Sequence, residues 1–301
     1  MDEVTDNKRP LFGNRHLTKE KDVFSHNAWD DVEWDEEQEA QAKASVAANS
    51  KIKLTSDEIL ELEKKAGSHW DSFYGIHQNR FFKDRNWLFT EFPELNNLKD
   101  NEPEMDMNIL EMGCGVGNSV FPILESNTNP HLKMYCCDFS STAIEILKEN
   151  EKYTSDPRVK AFVCDLTDSI SWINNAPFQE SSLDIILAIF VLSALDPKTM
   201  DTAVKNISKY LKPGGIVAFR DYGRYDLAQL RFKDGKCLGD DFYMRGDRTR
   251  CYFFTREYLT ELFAKNGFEV LESKYDRRLQ VNRGKQLKMY RVWVQAKFKK
   301  K

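Results

Sequence analysis

Three glycines, Gly113, Gly115 and Gly117, directly follow the apolar pair Ile109-Leu110 and Glu111-Met112. A short strand running into a glycine turn and a helix start is the architecture of a nucleotide-type cofactor site. Glycine admits the turn and lets backbone approach a ligand closely. Two acidic residues follow in order. Asp138 ends the β-like run 132–137, where a carboxylate can take a ribose diol. Asp165 ends a second such run, 159–164. Leu211-Lys-Pro-Gly-Gly215 then closes a predicted helix and opens another strand. A nicotinamide site favours G-x-G-x-x-G, with a pyrophosphate at the helix N-terminus. This chain has G-x-G-x-G, and the triplet gives no particular reason to expect a pyrophosphate. The plain alternative is a glycine turn with two solvated aspartates, and four ordered features together argue against it.

These residues need a sheet to hold them. Strands are expected near 107–112, 132–137, 159–163, 183–190 and 215–220, and helices near 117–125, 140–152 and 197–211. That alternation predicts an α/β fold with a doubly wound parallel sheet. A helix near 255–266 and strands near 268–276 and 287–297 would bring the sheet to seven strands. Residues 221–254 then form a long insertion rich in Arg, Gly and aromatics, and long insertions are usually functional or disordered. Upstream, 1–15 reads as a polar tail and 16–106 as a helical, aromatic extension to the domain 107–301. Residues 38–66 look helical, with Ser56 or Thr55 as N-cap. Trp29 and Trp34 sit in a mostly polar stretch and need a surface to pack on, so this arm should dock on the body or on a partner. Residues 96–106 read as a polar linker.

Composition bounds the partners. The chain of 301 residues is 41% hydrophobic, enough for one large domain with an extension. No apolar run nears the roughly 20 residues of a membrane span, and no signal sequence is seen at the N-terminus. Six cysteines without a C-x-x-C pair read as small buried thiols, and five scattered histidines suggest no metal cluster. The net charge of −4 hides a split, because residues 218–301 carry 21 Lys/Arg against 11 Asp/Glu, a local +10. Either a polyanion partner or a solvated basic face accounts for that excess.

The glycine loop, Asp138, Asp165 and the Leu-Lys-Pro-Gly-Gly turn resemble class I S-adenosylmethionine-dependent methyltransferases. The resemblance implies that the glycine loop passes under the methionine portion of the cofactor, that Asp138 holds the ribose and that Asp165 takes the adenine amino group. Further segments resemble one family closely, the eukaryotic tRNA N3-methylcytidine methyltransferases. They are Phe24-Ser-His-Asn-Ala-Trp29, Trp70-Asp-Ser-Phe-Tyr74, Phe81-Phe-Lys-Asp-Arg-Asn-Trp87, Cys164-Asp-Leu-Thr167, Ile189-Phe-Val-Leu-Ser193, Phe219-Arg-Asp-Tyr-Gly223, Leu230-Arg-Phe232 and Tyr252-Phe-Phe254. The resemblance runs from about residue 14 onward. The segment around Trp29 and Trp34 looks like the branch acting on threonine tRNAs.

The resemblance implies cytidine 32 of a tRNA anticodon loop as substrate. It also implies a cytoplasmic enzyme, with some nuclear presence open, and an aminoacyl-tRNA synthetase or other accessory protein as a partner to consider. The chemistry follows from the base. Cytosine N3 has an in-plane lone pair and attacks without prior deprotonation, leaving a cation shared with N4. A carboxylate at that edge would stabilise the charge. Asp221 is chosen for this role, against a turn cap, and Phe190 for stacking on the flipped base, against a core phenylalanine. Trp70 and Tyr74, four apart on a helix, are assigned to the cofactor with Arg85, Leu166 and Ile189; core packing and a salt bridge are the competing roles. Lys83, Arg220, Arg224, Arg231, Arg245, Arg248 and Arg250 are assigned to RNA phosphates, each against an ordinary surface charge. A protein or small-molecule methyltransferase on the same fold, or a non-catalytic subunit, are the rival readings. Activity on RNA against a protein extract, and loss of cofactor binding, separate them.

Overall fold

The computed structural model describes residues 15–96 and 106–301. The expected tail 1–15, apart from Arg15, and most of the linker 96–106 lie outside the described residues. Strands in chain order are β1 (Ala28–Trp29), β2 (Met107–Met112), β3 (Leu132–Asp138), β4 (Val159–Val163), β5 (Leu183–Ile189), β6 (Leu211–Tyr222), β7 (Cys237–Gly239), β8 (Phe242–Met244), β9 (Arg250–Tyr252), β10 (Phe268–Asn282) and β11 (Leu287–Lys300). Eight of them form one sheet in the order β1-β10-β11-β6-β5-β2-β3-β4. The five from β6 to β4 run parallel, and β11, β10 and β1 are added antiparallel.

The parallel strands are near-continuous apolar runs because helices cover both faces of the sheet. Leu110, Met112, Ile186, Ala188 and Phe219 point into one core; Ile109, Ile185, Leu187 and Ile189 point into the other. Strand order reverses between β2 and β5, and a crevice opens outside the carboxyl ends of strands at such a point. The Leu211–Gly215 turn is absorbed into the 12-residue strand β6 rather than preceding it. A register shift takes up the extra residues, since Leu183 faces Leu211 but Ile185 faces Ile216.

The eighth strand comes from the N-terminal arm. Ala28 pairs with Gln280 and Trp29 with Leu279. The Trp29 indole is fully buried with Leu279 and Val281, and its Nε1–H donates to the Val23 carbonyl at 2.8 Å. Trp34 stacks on Tyr225 and meets Tyr290 edge-on. The surface these tryptophans required is thus the body of the protein itself.

The single helix expected over 38–66 is two helices, Glu36–Asn49 and Ser56–Lys64, followed by a third, Ala66–His77. Thr55 caps the second in a capping box with Glu58. The break at 50–55 has a tertiary cause. Leu54 N–H donates to the Cys237 carbonyl at 2.9 Å, and the Ser50 hydroxyl meets that of Tyr243 at 2.9 Å. The insertion 221–254 is ordered: β7, β8 and β9 form a small antiparallel sheet over a core of Cys237, Tyr243, Cys251 and Phe253. All six cysteines are buried.

Trp29→Ala should cost about 3–5 kcal/mol, because it removes a fully buried aromatic and leaves a cavity. Denaturant unfolding with limited proteolysis at 15–35 checks this. An arm that is released with no loss of global stability would contradict it.

Candidate functional site

A cavity of about 470 Å³ opens at the carboxyl edge of the parallel strands. The glycine loop forms its floor. Gly113 and Gly115 have φ of 62° and 53°, a left-handed backbone that favours glycine. Space demands glycine as well. A Cβ on Gly115 would lie 2.5 Å from the Tyr74 hydroxyl, and one on Gly113 would lie 2.4 Å from Val191 Cγ2. Gly117 differs: its Cβ would meet the Phe121 ring at 2.4 Å, and it does not line the cavity. Its assignment to the cofactor is therefore corrected to close packing at the start of the helix Val120–Ser126.

Asp138 ends β3 on the cavity wall. Its carboxylate accepts from Gly115 N–H at 2.8 Å and from Ser140 N–H at 2.9 Å. Burial pushes its pKa up to about 6, against the lowering effect of those N–H donors. Asp165 also lines the cavity, and its Oδ1 accepts from the N–H and hydroxyl of Thr167. Leu166 and Thr167 stand beside it. Trp70 and Tyr74 form a stacked pair on the helix Ala66–His77 and face the cavity. Burial raises the Tyr74 phenol well above its ordinary pKa, so the hydroxyl stays protonated over the loop.

Arg85 reaches the cavity from the Phe81–Trp87 segment. It donates to Ser119 Oγ at 2.9 Å and to Glu111 Oε1 at 3.3 Å, with its guanidinium 5.8 Å from the Phe190 ring. Glu111 is fully buried, which pushes its pKa up to about 7 against the lowering pull of Arg85. Lys83 is exposed at the cavity wall. Ile189, assigned to the cofactor, is fully buried in the core below and does not line the cavity.

A second group of lining residues centres on two aromatic rings. Phe190 has φ of 56°, a left-handed conformation unusual for a bulky side chain. Its N–H donates to the Arg220 carbonyl at 2.8 Å, and its ring sits 5.2 Å from that of Tyr222. The Arg245 guanidinium lies 5.4 Å from the Tyr222 ring and also lines the cavity.

Asp221 does not face the cavity. It is fully buried and accepts from Ser193 N–H at 2.9 Å and from the N–H of Tyr222 at 2.8 Å, and burial pushes its pKa up to about 6. Its catalytic assignment is therefore corrected. The carboxylate ties the 190–193 turn to the end of β6 and positions Phe190 and Tyr222 without reaching a substrate.

The arginine assignments divide. Arg220 is buried under Trp87 and Trp293, ion-paired with Asp276 and bonded to Gln295, so it has no face for a phosphate. Arg250 is buried against Glu63 of the helix Ser56–Lys64. Arg224 is paired with Asp241 and half exposed, and Arg245 points into the cavity. Arg231 and Arg248 are exposed. An alternating, half-buried sequence pattern does not distinguish a cation spent on a buried carboxylate from one facing water.

Sequence reasoning missed Phe139, Val191, Tyr222 and Asp71. Phe139 follows Asp138 directly and lines the cavity, so strand-end position was the available signal. Asp71 lies in the quoted 70–74 motif, and its carboxylate accepts from Ser140 Oγ at 2.6 Å and Thr142 N–H at 3.2 Å. Only the fold brings those partners together. Among the described residues, no group of three His, Cys, Asp or Glu side chains could hold a metal, and no helix is long and apolar enough to cross a membrane.

The residues fit S-adenosylmethionine. A shielded acceptor at Asp138, a cradle that a Cβ would fill at Gly115, and aromatic walls at Trp70, Tyr74 and Phe139 suit a ribose, a close backbone approach and an adenine. Ribose hydroxyls would donate to ionised Asp138. Cofactor affinity should therefore fall as pH drops through about 6, by up to tenfold per unit, and Asp138→Asn should flatten that profile. Folding linkage has the opposite sign. The folded carboxyl, raised from 3.8, contributes stability that is complete below 3.8 and lost as pH rises through about 6. Asp138→Ala should weaken the cofactor ten- to a hundredfold, roughly 1.5–3 kcal/mol, by calorimetry. Unchanged affinity across pH 5–8 would contradict the assignment.

A sequence profile described as a methyltransferase domain matches residues 82–273. Among solved structures, a methyltransferase of Anabaena variabilis described as S-adenosylmethionine-dependent superposes with a TM-score of 0.53 at 13% identity, covering 78% of this chain and 95% of that one. The 1,6-didemethyltoxoflavin-N1-methyltransferase of Burkholderia thailandensis, solved with S-adenosylhomocysteine, gives 0.52 at 17% identity over 82% and 92%. These likenesses establish a class I methyltransferase fold. A tRNA N(3)-cytidine methyltransferase of Xenopus tropicalis is 51% identical over 97% of this chain and 95% of its own. A tRNA N(3)-methylcytidine methyltransferase of Drosophila melanogaster is 53% identical over 96% and 88%. About half of all residues are thus shared along nearly the whole length, and the chain belongs to the tRNA N(3)-cytidine methyltransferase family.

Proposed function

We propose that this chain transfers the methyl group of S-adenosylmethionine to N3 of a cytidine in tRNA. The supporting observation is a single cavity with two kinds of wall. Gly113, Gly115, Asp138 and Asp165 line it, and so does a second group, Phe190, Tyr222 and Arg245, in which the Tyr222 ring neighbours both others. S-Adenosylmethionine supplies a methyl group on a positively charged sulfur. The chain's own residues supply placement. A target base must leave its stack to reach such a site, and an aromatic face lowers the cost of extruding it. Phe190 offers that face, held by its left-handed backbone and by the Asp221 bonds behind it. Arg245 presents donors that suit the base's carbonyl oxygen.

No residue must remove a proton before N3 attacks. Positive charge then spreads over N3 and N4, and the carboxylates of Asp196 and Asp247 on the cavity wall favour it through space. We extend the reading to cytidine 32 of the anticodon loop, and to threonine tRNAs on the likeness of the segment around Trp29 and Trp34. An aminoacyl-tRNA synthetase or another accessory protein as helper and a cytoplasmic location belong to the same reading.

Nucleoside mass spectrometry of tRNA from cells with and without the gene tests it. Loss of N3-methylcytidine is expected, and an unchanged level would refute the reading. With purified protein, Phe190→Ala should lower kcat/KM on tRNA by roughly ten- to a hundredfold, the worth of one stacked base, while cofactor affinity holds. Wild-type turnover in that variant would return Phe190 to a packing role.

A further inference from the structure

The strands β10 and β11 form a hairpin whose outer end lies well beyond the rest of the sheet. Trp293 of β11 pairs with Tyr222, the last residue of β6. The hairpin continues past that row to the pair Asn282 and Leu287. Six residues from 293 back to 287, at about 3.3 Å each, carry it about 20 Å further. It extends in the direction in which β6 ends, toward the edge where Phe190 and Tyr222 line the cavity.

Its composition is one-sided. From Arg277 to Arg291 the chain has six Lys/Arg and no acid. Arg278 and Arg291 are spent on Asp276, Glu91 and Asp226 nearer the sheet. At the tip all of residues 282–288 are exposed, and among the described residues Arg283, Lys285 and Lys288 meet no carboxylate. This separates them from Arg220, Arg224 and Arg250, whose charges are matched inside the protein.

The tip is also braced. Trp29, Leu279 and Val281 pack as one cluster with Phe24 and Tyr290, and Val281 N–H donates to the Asn27 carbonyl at 2.8 Å. Asn282 Oδ1 accepts from Lys285 N–H at 3.0 Å, which closes the turn. An isolated two-stranded ribbon is marginal in water, and the N-terminal strand β1 gives this one a third strand and a core. A stiff basic arm reaching about 20 Å beyond the base pocket has the form of a phosphate ruler.

Resting on the function proposed above, we infer that Arg283, Lys285 and Lys288 bind backbone phosphates of the tRNA stem next to the loop that carries the target cytidine. These contacts set how far the loop enters the cavity. They supply affinity and register and touch neither the cofactor nor the reacting base.

The test compares wild-type protein with R283A/K285A/K288A on full-length tRNA. The triple variant should raise KM at least about tenfold, leave kcat within about twofold and reduce the slope of log affinity against log salt by two to three contacts. Its affinity for S-adenosylmethionine should match wild type, which excludes unfolding. Restoring charge with R283K in place of R283A should recover about one contact of slope. If the triple variant keeps wild-type KM and salt slope, the hairpin does not hold tRNA, and its charge serves an acidic protein partner or solubility. Wild-type protein that neither binds nor methylates tRNA, together with an unchanged N3-methylcytidine level in cells without the gene, would remove the functional reading and this inference together. Wild-type activity alongside an indifferent variant removes this inference alone.

Discussion

One buried carboxylate organises the cofactor half of this protein. Asp138 accepts from the N–H of Gly115 and the N–H of Ser140, joining the loop after β2 to the helix start after β3. The arrangement continues outward. Ser140 Oγ donates to Asp71, which also accepts from Thr142 N–H at the beginning of the helix Ser141–Glu149. Negative charge is favoured at a helix N-terminus, so Asp71 docks its own helix, Ala66–His77, at that point. That helix carries Trp70 and Tyr74, and the Tyr74 hydroxyl fills the space above Gly115. Loop, acid and aromatic wall are thus one connected set of hydrogen bonds.

The same logic explains why a basic C-terminal third does not produce a uniformly basic surface. Arg220, Arg278, Asp276, Glu91 and Gln295 form a buried polar cluster between the sheet and the 88–95 segment. Burying ions without partners is costly, and breaking one partner of such a cluster is more damaging than the cluster is stabilising. Arg250 with Glu63, and Arg224 with Asp241, tie the small sheet to its surroundings in the same way. Net charge measures what the chain carries, and pairing decides how much of it reaches the solvent.

Asp221 and Phe190 show how backbone geometry assigns roles. β6 sends Arg220 and Asp221 to opposite faces, as a strand must. Asp221 then lies beneath the 190–193 turn, where it accepts from the Ser193 N–H and from the N–H of Tyr222 beside it. The strained φ at Phe190 turns its side chain to the cavity at the end of a strand otherwise buried on both faces. A residue held in a sparsely populated conformation by surrounding bonds is a recurring feature of functional sites.

Much of this was legible in the chain. Apolar runs of five to seven residues, separated by helical periods, specified the parallel strands and their order in sequence. Gly113, Gly115, Asp138 and Asp165 were readable because a left-handed turn and a strand-end carboxylate restrict residue type strongly. The need for Trp29 and Trp34 to find a surface was readable from burial energetics alone. The surface itself, an antiparallel edge at Leu279–Gln280, was not, because pairing partners 250 residues apart leave no local trace. The break in the N-terminal helix depends on a carbonyl of Cys237, and the docking of Asp71 on a helix 70 residues away. Which arginines are spent, whether Asp221 sees the cavity and why Gly117 must be glycine all depend on neighbours supplied by other elements. Residue type and spacing fix what a segment is able to do; the tertiary structure decides which of its polar groups are already satisfied, and only the remainder faces a ligand.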